Sequence, residues 1–383
     1  MKRVHGIDIV RGLVMVVMAL DHIRDLMHAP SLSNNPTDLA TTSPAIFFTR
    51  FITHFCAPTF VFLAGTSAFL SLQKSGNVSA NRSFLIKRGL WLIFLEFTVV
   101  GFGIWFDIGF HTILFQVIAA LGFGFIFLGL LLKFSSGTIG IVGIALLIIQ
   151  TILPLLPVAD GSIKTIFSFL FFSNFVPLGE GRALIYAYPI LSWTAILFMG
   201  YGVGSWFTKS NYQSRLLATG SICVTTFFVL RLLNIGDLAP WSMQKDLIFT
   251  VMSFLNVTKY PPTLQFCLLT LGVMFILLWL AGKSRNGLTE ILETFGKVPM
   301  FYYLIHWYAI HGTLILLLLI QGFSFGQMHF EAMRFGRPLD EFSGVNLGWI
   351  YVIWFSIVTI LYFPCRSYSR YKSQNKSWWL RYL

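Results

Sequence analysis

Ile7-Asp8-Ile9-Val10-Arg11-Gly12-Leu13-Val14-Met15-Val16-Val17-Met18-Ala19-Leu20-Asp21-His22-Ile23-Arg24-Asp25-Leu26-Met27-His28 is long and apolar enough to span a bilayer, yet it carries ionisable side chains along its length. Charges inside a span are costly, and where they are kept they mark function. At 3.6 residues per turn, Asp8, Arg11, His22 and Asp25 share one broad helix face, with Met15 and Met18 between them. Arg11 and His22 stand eleven residues apart, ~17 Å along the axis. A cation near one membrane surface therefore aligns with an imidazole near the other. The plainer reading makes Asp8–Arg11 an interfacial i,i+3 pair and Asp21 to His28 a polar exit. The preceding Met-Lys-Arg-Val-His has the charge of a signal sequence, but Asp8 and Arg11 interrupt what should be an uncharged core. No small-residue cleavage site follows, so a retained first span is expected.

The rest of the chain agrees with a membrane fold. Of 383 residues, 56% are hydrophobic and 11% charged, with 40 Phe, and the mean hydropathy is +0.75. A soluble domain carries roughly 25% charged residues, so no water-facing surface can be built from this chain. A soluble enzyme, a disordered tail and a nucleic-acid partner are excluded despite the net charge of +12. Cys56, Cys223, Cys267 and Cys365 show no CxxC or metal-ligand spacing, so neither a disulfide framework nor a thiolate site is expected.

The expected fold class is all-α, a polytopic transmembrane helix bundle. Ten spans can be placed, near 6–27, 48–71, 89–106, 114–132, 137–156, 187–207, 216–233, 262–281, 299–320 and 347–364. Thr165–Phe175 is too short to cross and reads as interfacial or re-entrant. Counting Lys and Arg gives 17 on the side holding both termini, including Lys2, Arg3 and Lys297, against 8 on the other. The positive-inside rule then makes both termini cytoplasmic. The chain reads as one domain, 1–383, with first catalytic helices at 6–106, further helices at 114–364 and a basic tail at 365–383. The larger outer loops fall near 157–186, 234–261 and 321–346.

In the second span Arg50 and His54 form an i,i+4 pair at the outer end, Pro58 bends or loosens the helix, and Gly65 with Ser67 allows close packing. For Arg50 and Gly65 an interfacial cation and a packing glycine are equally open readings. His54 sits at the depth of His22 and His28. His306 and His311 are five apart, on different helix faces, and no HExxH spacing occurs, so no metal is expected. A single imidazole acting as general base needs only one well-placed residue.

Ile7-Asp8-Ile9-Val10-Arg11-Gly12-Leu13 followed by His22 resembles the first helix of the integral-membrane acyltransferases. Pro58-Thr59-Phe60-Val61-Phe62-Leu63-Ala64-Gly65-Thr66-Ser67 and the pair His28-Ala29 are more similar to the heparan-α-glucosaminide N-acetyltransferase family and its bacterial relatives. So are Lys259-Tyr260-Pro261-Pro262-Thr263-Leu264-Gln265-Phe266 and the stretch from Phe295-Gly296-Lys297-Val298-Pro299-Met300 to His306. The likeness covers 7–90 well and 259–311 in patches.

The resemblance implies transfer of an acetyl group from cytoplasmic acetyl-coenzyme A to an amine or hydroxyl of a sugar on the outer side of a bacterial cytoplasmic membrane. It places the catalytic histidine at His22, whereas a branch with asparagine there uses a loop histidine, for which His28 is the nearest match. Arg11 matches the family's first-helix arginine, and Lys87-Arg88 sits where relatives direct basic residues at coenzyme A. Arg82, Lys87 and Arg88 suit its phosphates chemically, and equally suit ordinary positive-inside charges. Asp25, one turn from His22, is placed to orient the imidazole, with Asp21 beside it. His54, Lys259, Tyr260 and His306 are candidates for holding the acceptor, and an aromatic belt reads the same way in sequence. Expected partners are membrane lipids and a glycan or amino-sugar acceptor; a homodimer is compatible with the sequence. Two other readings stay open: a permease or flippase, weakened by the lack of evident inverted repeats, and a non-catalytic scaffold.

Overall fold

The structure is a computed structural model, which describes residues 4–153, 161–283, 285–331, 333–339 and 342–383. Lys2 and Arg3 of the charge count and 154–156 of the fifth expected span lie outside these residues. Helices dominate, at 71% of the described residues. Among the described residues six helical stretches are long and apolar enough to cross a membrane: Pro44–Ser75, Ile190–Thr208, Tyr212–Leu232, Leu264–Ala281, Pro299–Ile320 and Leu347–Gln374. Large apolar side chains such as Ile222, Phe355 and Ile360 stand outward on these helices, as lipid contact demands.

The first helix, α1 (His5–Met27), is embraced by the others rather than exposed, which is how its charges are tolerated. Its far end pairs His28 with Val345, just before the helix Leu347–Gln374, and Trp354 Nε1 donates to the Val16 carbonyl at 2.8 Å. The two helices therefore run antiparallel. Val4 and Gln374 lie at one end of the bundle, here the terminal end, and His28 and Leu347 at the other, the distal end.

The second expected span is broken in two. Helix α2 (Pro44–Thr53) begins on a Ser43 cap and ends at His54, and α3 (Cys56–Ser75) restarts at once with Pro58 in its first turn. Proline lacks an N–H, so it fits the first turn of a new helix and the break falls before it. Further along α3, Gly65 packs on the helix Ile190–Gly204. A Cβ at Gly65 would come within 2.0 Å of the Leu197 carbonyl, and one at Gly200 within 2.0 Å of the Phe62 carbonyl. Gly65 is thus a packing glycine.

Helix α4 (Val78–Leu95) continues through a π-helical turn, Glu96–Val100, into α5 (Gly101–Trp105). Glu96 is buried, and its Oε2 accepts from the Ile118 and Ala119 amides at 3.1 and 3.0 Å. It thereby caps α6 (Val117–Leu131), whose first amides have no intrahelical acceptor.

The all-α expectation needs one correction. A three-stranded sheet, β1 (Thr112–Phe115), β2 (Asn174–Gly179) and β3 (Arg182–Tyr186), is ordered β1-β3-β2, with Thr112 opposite Ala183 in parallel and Asn174 opposite Tyr186 antiparallel. The run around 165–175 is helix α7 (Ser162–Phe171) entering this hairpin. Burial rises along β3 from Arg182 to Tyr186 and does not alternate. An amphipathic helix, α8 (Gly287–Lys297), was also not foreseen as an element. It packs on α1 so closely that a Cβ at Gly12 would stand 1.8 Å from the Leu292 carbonyl and one at Gly296 equally near that of Asp8.

Candidate active site

A cavity of about 350 Å³ opens in the distal half of the bundle. Helix α1 gives it Met18, Asp21, His22 and Asp25, and the α2–α3 break gives it Arg50 and Phe60. The segment before Leu264–Ala281 gives Lys259 and Tyr260, and the sheet gives Leu114 and Ile185.

His22 is held by histidine. Its Nδ1 lies 2.8 Å from His306 Nε2, and His306 Nδ1 lies 2.6 Å from the Tyr303 carbonyl. A carbonyl only accepts, so His306 carries its proton on Nδ1 and its Nε2 is an acceptor. With both rings neutral, His22 Nδ1–H donates to it, and the lone pair of His22 is left on Nε2. Trp307 fixes the ring plane by stacking on His22 at 3.9 Å between centroids. The arrangement supplies a base in one tautomer on the wall of a closed space.

The charged neighbours pair among themselves. Asp21 accepts from Arg24 Nη2 at 2.7 Å and from Arg50 Nη1 at 2.5 Å, and Asp25 accepts from the same Arg24 nitrogen at 2.7 Å. The expectation that Asp25 orients His22 is therefore corrected: adjacent Arg24 takes its carboxylate, and the imidazole finds its partner on Pro299–Ile320. Arg50 belongs to the cavity wall, a placement its interfacial reading did not foresee.

Of the acceptor candidates, Lys259 and Tyr260 line the cavity. His306 does not, being fully buried behind His22. His54 is also buried off the wall, against Phe51 and Phe266. His28 lies past the end of α1, where its carbonyl accepts from Arg337 Nη1 at 3.0 Å and its ring does not line the cavity. Burial, then the cations Arg24 and Arg337, hold the His28 imidazole below its ordinary value. Among the described residues no group of three His, Cys, Asp or Glu side chains converges as metal ligands would.

A second cavity, about 120 Å³, lies toward the terminal end and shares Phe60 with the first. Arg11 and Arg88 line it together with Ser67, Ser71 and Asn81. Arg11 Nη2 donates to Ser67 Oγ at 2.6 Å, and Arg88 Nη1 to the Arg381 carbonyl at 3.2 Å. Among the described residues, Arg88 Nε is buried with no hydrogen-bond partner. Arg82 and Lys87 are exposed and off this wall, since they point from other faces of α4. Gln116 and Tyr188 line the distal cavity without having been singled out as site residues, and Glu96 supports it from behind. Glu96 alone had a readable signal, as a carboxylate within an apolar run.

No curated protein matches the chain. Residues 3–236 match the family model described as heparan-alpha-glucosaminide N-acetyltransferase, catalytic, which is more than half of the sequence. The distal cavity draws its α1 and Arg50 walls from inside that stretch, and Lys259, Tyr260 and the His306 support from beyond it. By this match and its apolar helices, the chain belongs to the heparan-alpha-glucosaminide N-acetyltransferase catalytic family and is a membrane acetyltransferase.

Proposed function

We propose that the protein carries an acetyl group from acetyl-coenzyme A, taken at the terminal, cytoplasmic end, to an amine or hydroxyl of a sugar or glycan at the distal, outer end. The observation that carries this reading is the histidine base of fixed tautomer in a cavity that shares a wall residue, Phe60, with a second cavity holding two arginines. The orphaned Nε of Arg88 and the nearby Arg11 guanidinium fit phosphate oxygens, for which arginine is the preferred partner. Bound acetyl-coenzyme A supplies an acyl group activated as a thioester.

The chain's own residues do the rest. Arg88 and Arg11 hold anionic groups at the terminal end, and Met15, Met18 and Phe60 give the distal cavity an apolar wall. His22 Nε2 takes the proton of the acceptor hydroxyl or amine as its oxygen or nitrogen bonds to the acetyl carbon and the C–S bond breaks. The imidazolium so formed, steadied by donation from Nδ1 to His306, returns that proton to the leaving coenzyme A thiolate. General-base help of this kind contributes roughly 10²–10⁴-fold.

The test is transfer of labelled acetyl from acetyl-coenzyme A to amino sugars on opposite sides of proteoliposomes, with the protein's orientation fixed by accessibility of a cysteine placed at Asn77. Label on a sugar across the membrane is the expected result. Sugar uptake without acetylation would replace the reading by a permease.

A further inference from the structure

We propose that the corner of the distal cavity formed by Lys259, Tyr260 and Tyr188 seats an anionic group, a carboxylate or phosphate, borne by the same sugar unit that presents the acceptor nucleophile. The inference rests on the proposed function for the presence of a sugar acceptor there, and deepens it by naming the acceptor's charge.

The argument begins with charge balance on the cavity wall. The carboxylates of Asp21 and Asp25 are matched by the guanidiniums of Arg24 and Arg50, all within hydrogen-bonding distance. Lys259 lines the same cavity, is 8% exposed, and among the described residues has no carboxylate within ion-pair distance. Taking a lone ammonium out of water is unfavourable unless an anion meets it.

The corner offers several donors at once. Lys259 Nζ lies 4.9 Å from the Tyr260 ring centre, and the Tyr260 and Tyr188 hydroxyls are 3.4 Å apart. Burial raises the Tyr260 phenol, but Lys259 and Arg50 outweigh it and bring the group below its ordinary value. The corner is therefore a field of positive charge. The Tyr260 hydroxyl gives its proton to Tyr188, which leaves the Lys259 ammonium and the Tyr188 hydroxyl to donate to a ligand. A charged donor beside a neutral one suits an anion with two or three oxygens better than a single carbonyl oxygen.

The corner is also built in advance. Asp237 accepts from the Thr258 amide at 3.1 Å, from Thr258 Oγ1 at 2.7 Å and from Thr263 Oγ1 at 2.8 Å, clamping the chain on both sides of Lys259. Arg231 donates to the carbonyls of Ala239, Ser253, Phe254 and Asn256 just before it. A cavity of about 350 Å³ has room for about one sugar ring, so the anion and the nucleophile belong to the same unit.

Calorimetric titration of the full chain in detergent, without donor, uses glucosamine, glucosamine 6-phosphate, 2-amino-2-deoxyglucuronate and inorganic phosphate. One or both acidic amino sugars are expected to bind about tenfold tighter than glucosamine, as one charge-assisted bond provides. Comparing those two identifies phosphate or carboxylate, and inorganic phosphate shows how much the free anion achieves alone. Lys259→Gln should erase the preference and Lys259→Arg should keep it. Equal binding of all amino sugars by the wild-type chain overturns the proposal, whether or not the variants fold. So does an undiminished preference in folded Lys259→Gln, or a variant that lowers kcat equally for every acceptor with KM unmoved. Acidic preference without any acetyl transfer would instead sink the proposed function and leave the anion seat standing.

Discussion

At the distal end His22 faces a cavity where two carboxylates and two guanidiniums are paired off and one imidazole nitrogen is left with its lone pair. At the terminal end Arg11 and Arg88 face a smaller space with serines and an asparagine; Arg11 is paired with Asp8 at 3.4 Å, while Arg88 keeps a buried Nε with no hydrogen-bond partner among the described residues. One helix, α1, serves both ends, contributing Arg11 to one cavity and His22 to the other. A site that must hold an anion needs a cation with an unused donor, as Arg88 has at Nε among the described residues. A site that must move a proton needs a neutral base whose neighbours do not compete for it. Placing the two on one rigid helix lets binding and chemistry be changed separately.

The largest expected effect breaks the chemical half alone. His22→Ala should lower acetyl transfer by about two to four orders of magnitude, the range for losing a general base. Acetyl-coenzyme A affinity, read by titration, should stay near wild type because the phosphates sit at the other cavity. Loss of donor binding in the same variant would show that the two cavities are one site.

His306 sharpens the distal half. Replacing it with Phe removes the acceptor that fixes the His22 tautomer, at about 1–3 kcal/mol and so about 10–100-fold in transfer. His306→Gln, which keeps an acceptor oxygen, should recover part of the rate. As a positioning residue His306 should also change the pH–rate profile, because His22 titrates without its partner. An unshifted profile in the Phe variant would leave His306 a packing residue.

The terminal half is read through Arg88. Arg88→Gln should weaken donor binding about tenfold, the worth of one charge-assisted bond, and make the remaining affinity less dependent on salt. Turnover of bound donor should hold. Lys87→Gln, on the exposed face of the same helix, should do much less. Equal losses from both would mean that the general basic surface, and not this cavity, attracts the donor.

Much of this division was legible in residues 7–28. Charges spaced on one face of an apolar helix dictate both a buried first helix and two functional depths, and the structure sets Arg11 and His22 in different cavities accordingly. The partners of those charges were less legible, because pairing is decided by contacts across hundreds of residues. Asp25 was one turn from His22 but beside Arg24, and the nearer cation took it. His306, 284 positions away, supplied the hydrogen bond, and no local pattern could name it. The break at His54 misled for a related reason. An unbroken hydropathic run says nothing of where the helix stops, and Pro58 signals a first turn as readily as a kink. The sheet was missed because its strands are four to six residues long and one of them pairs across about seventy positions.

The smallest effect concerns His28, the other histidine that the sequence offered as a base. It lies beyond α1, bridged through its backbone to Val345 and covered by Arg337, which also donates to the Ala29 carbonyl at 2.8 Å and to Ser31 Oγ at 3.0 Å. Burial first, then Arg24 and Arg337, depress its value in the folded chain. Below its ordinary value of about 6.5 the unfolded chain takes up a proton that the folded one refuses. More protons on the unfolded state mean stability that is full above about pH 6.5 and declines as the pH falls below it. His28→Gln should therefore make the melting temperature less sensitive to acidification between pH 7.5 and 5.5, while His28→Ala leaves acetyl transfer largely intact at pH 7.5. Thermal melts at both pH values and a transfer assay at the upper one decide the matter. If His28→Ala abolishes transfer and His22→Asn retains it, the base lies past the end of α1, and the cavity around His22 is a passage to the reaction centre.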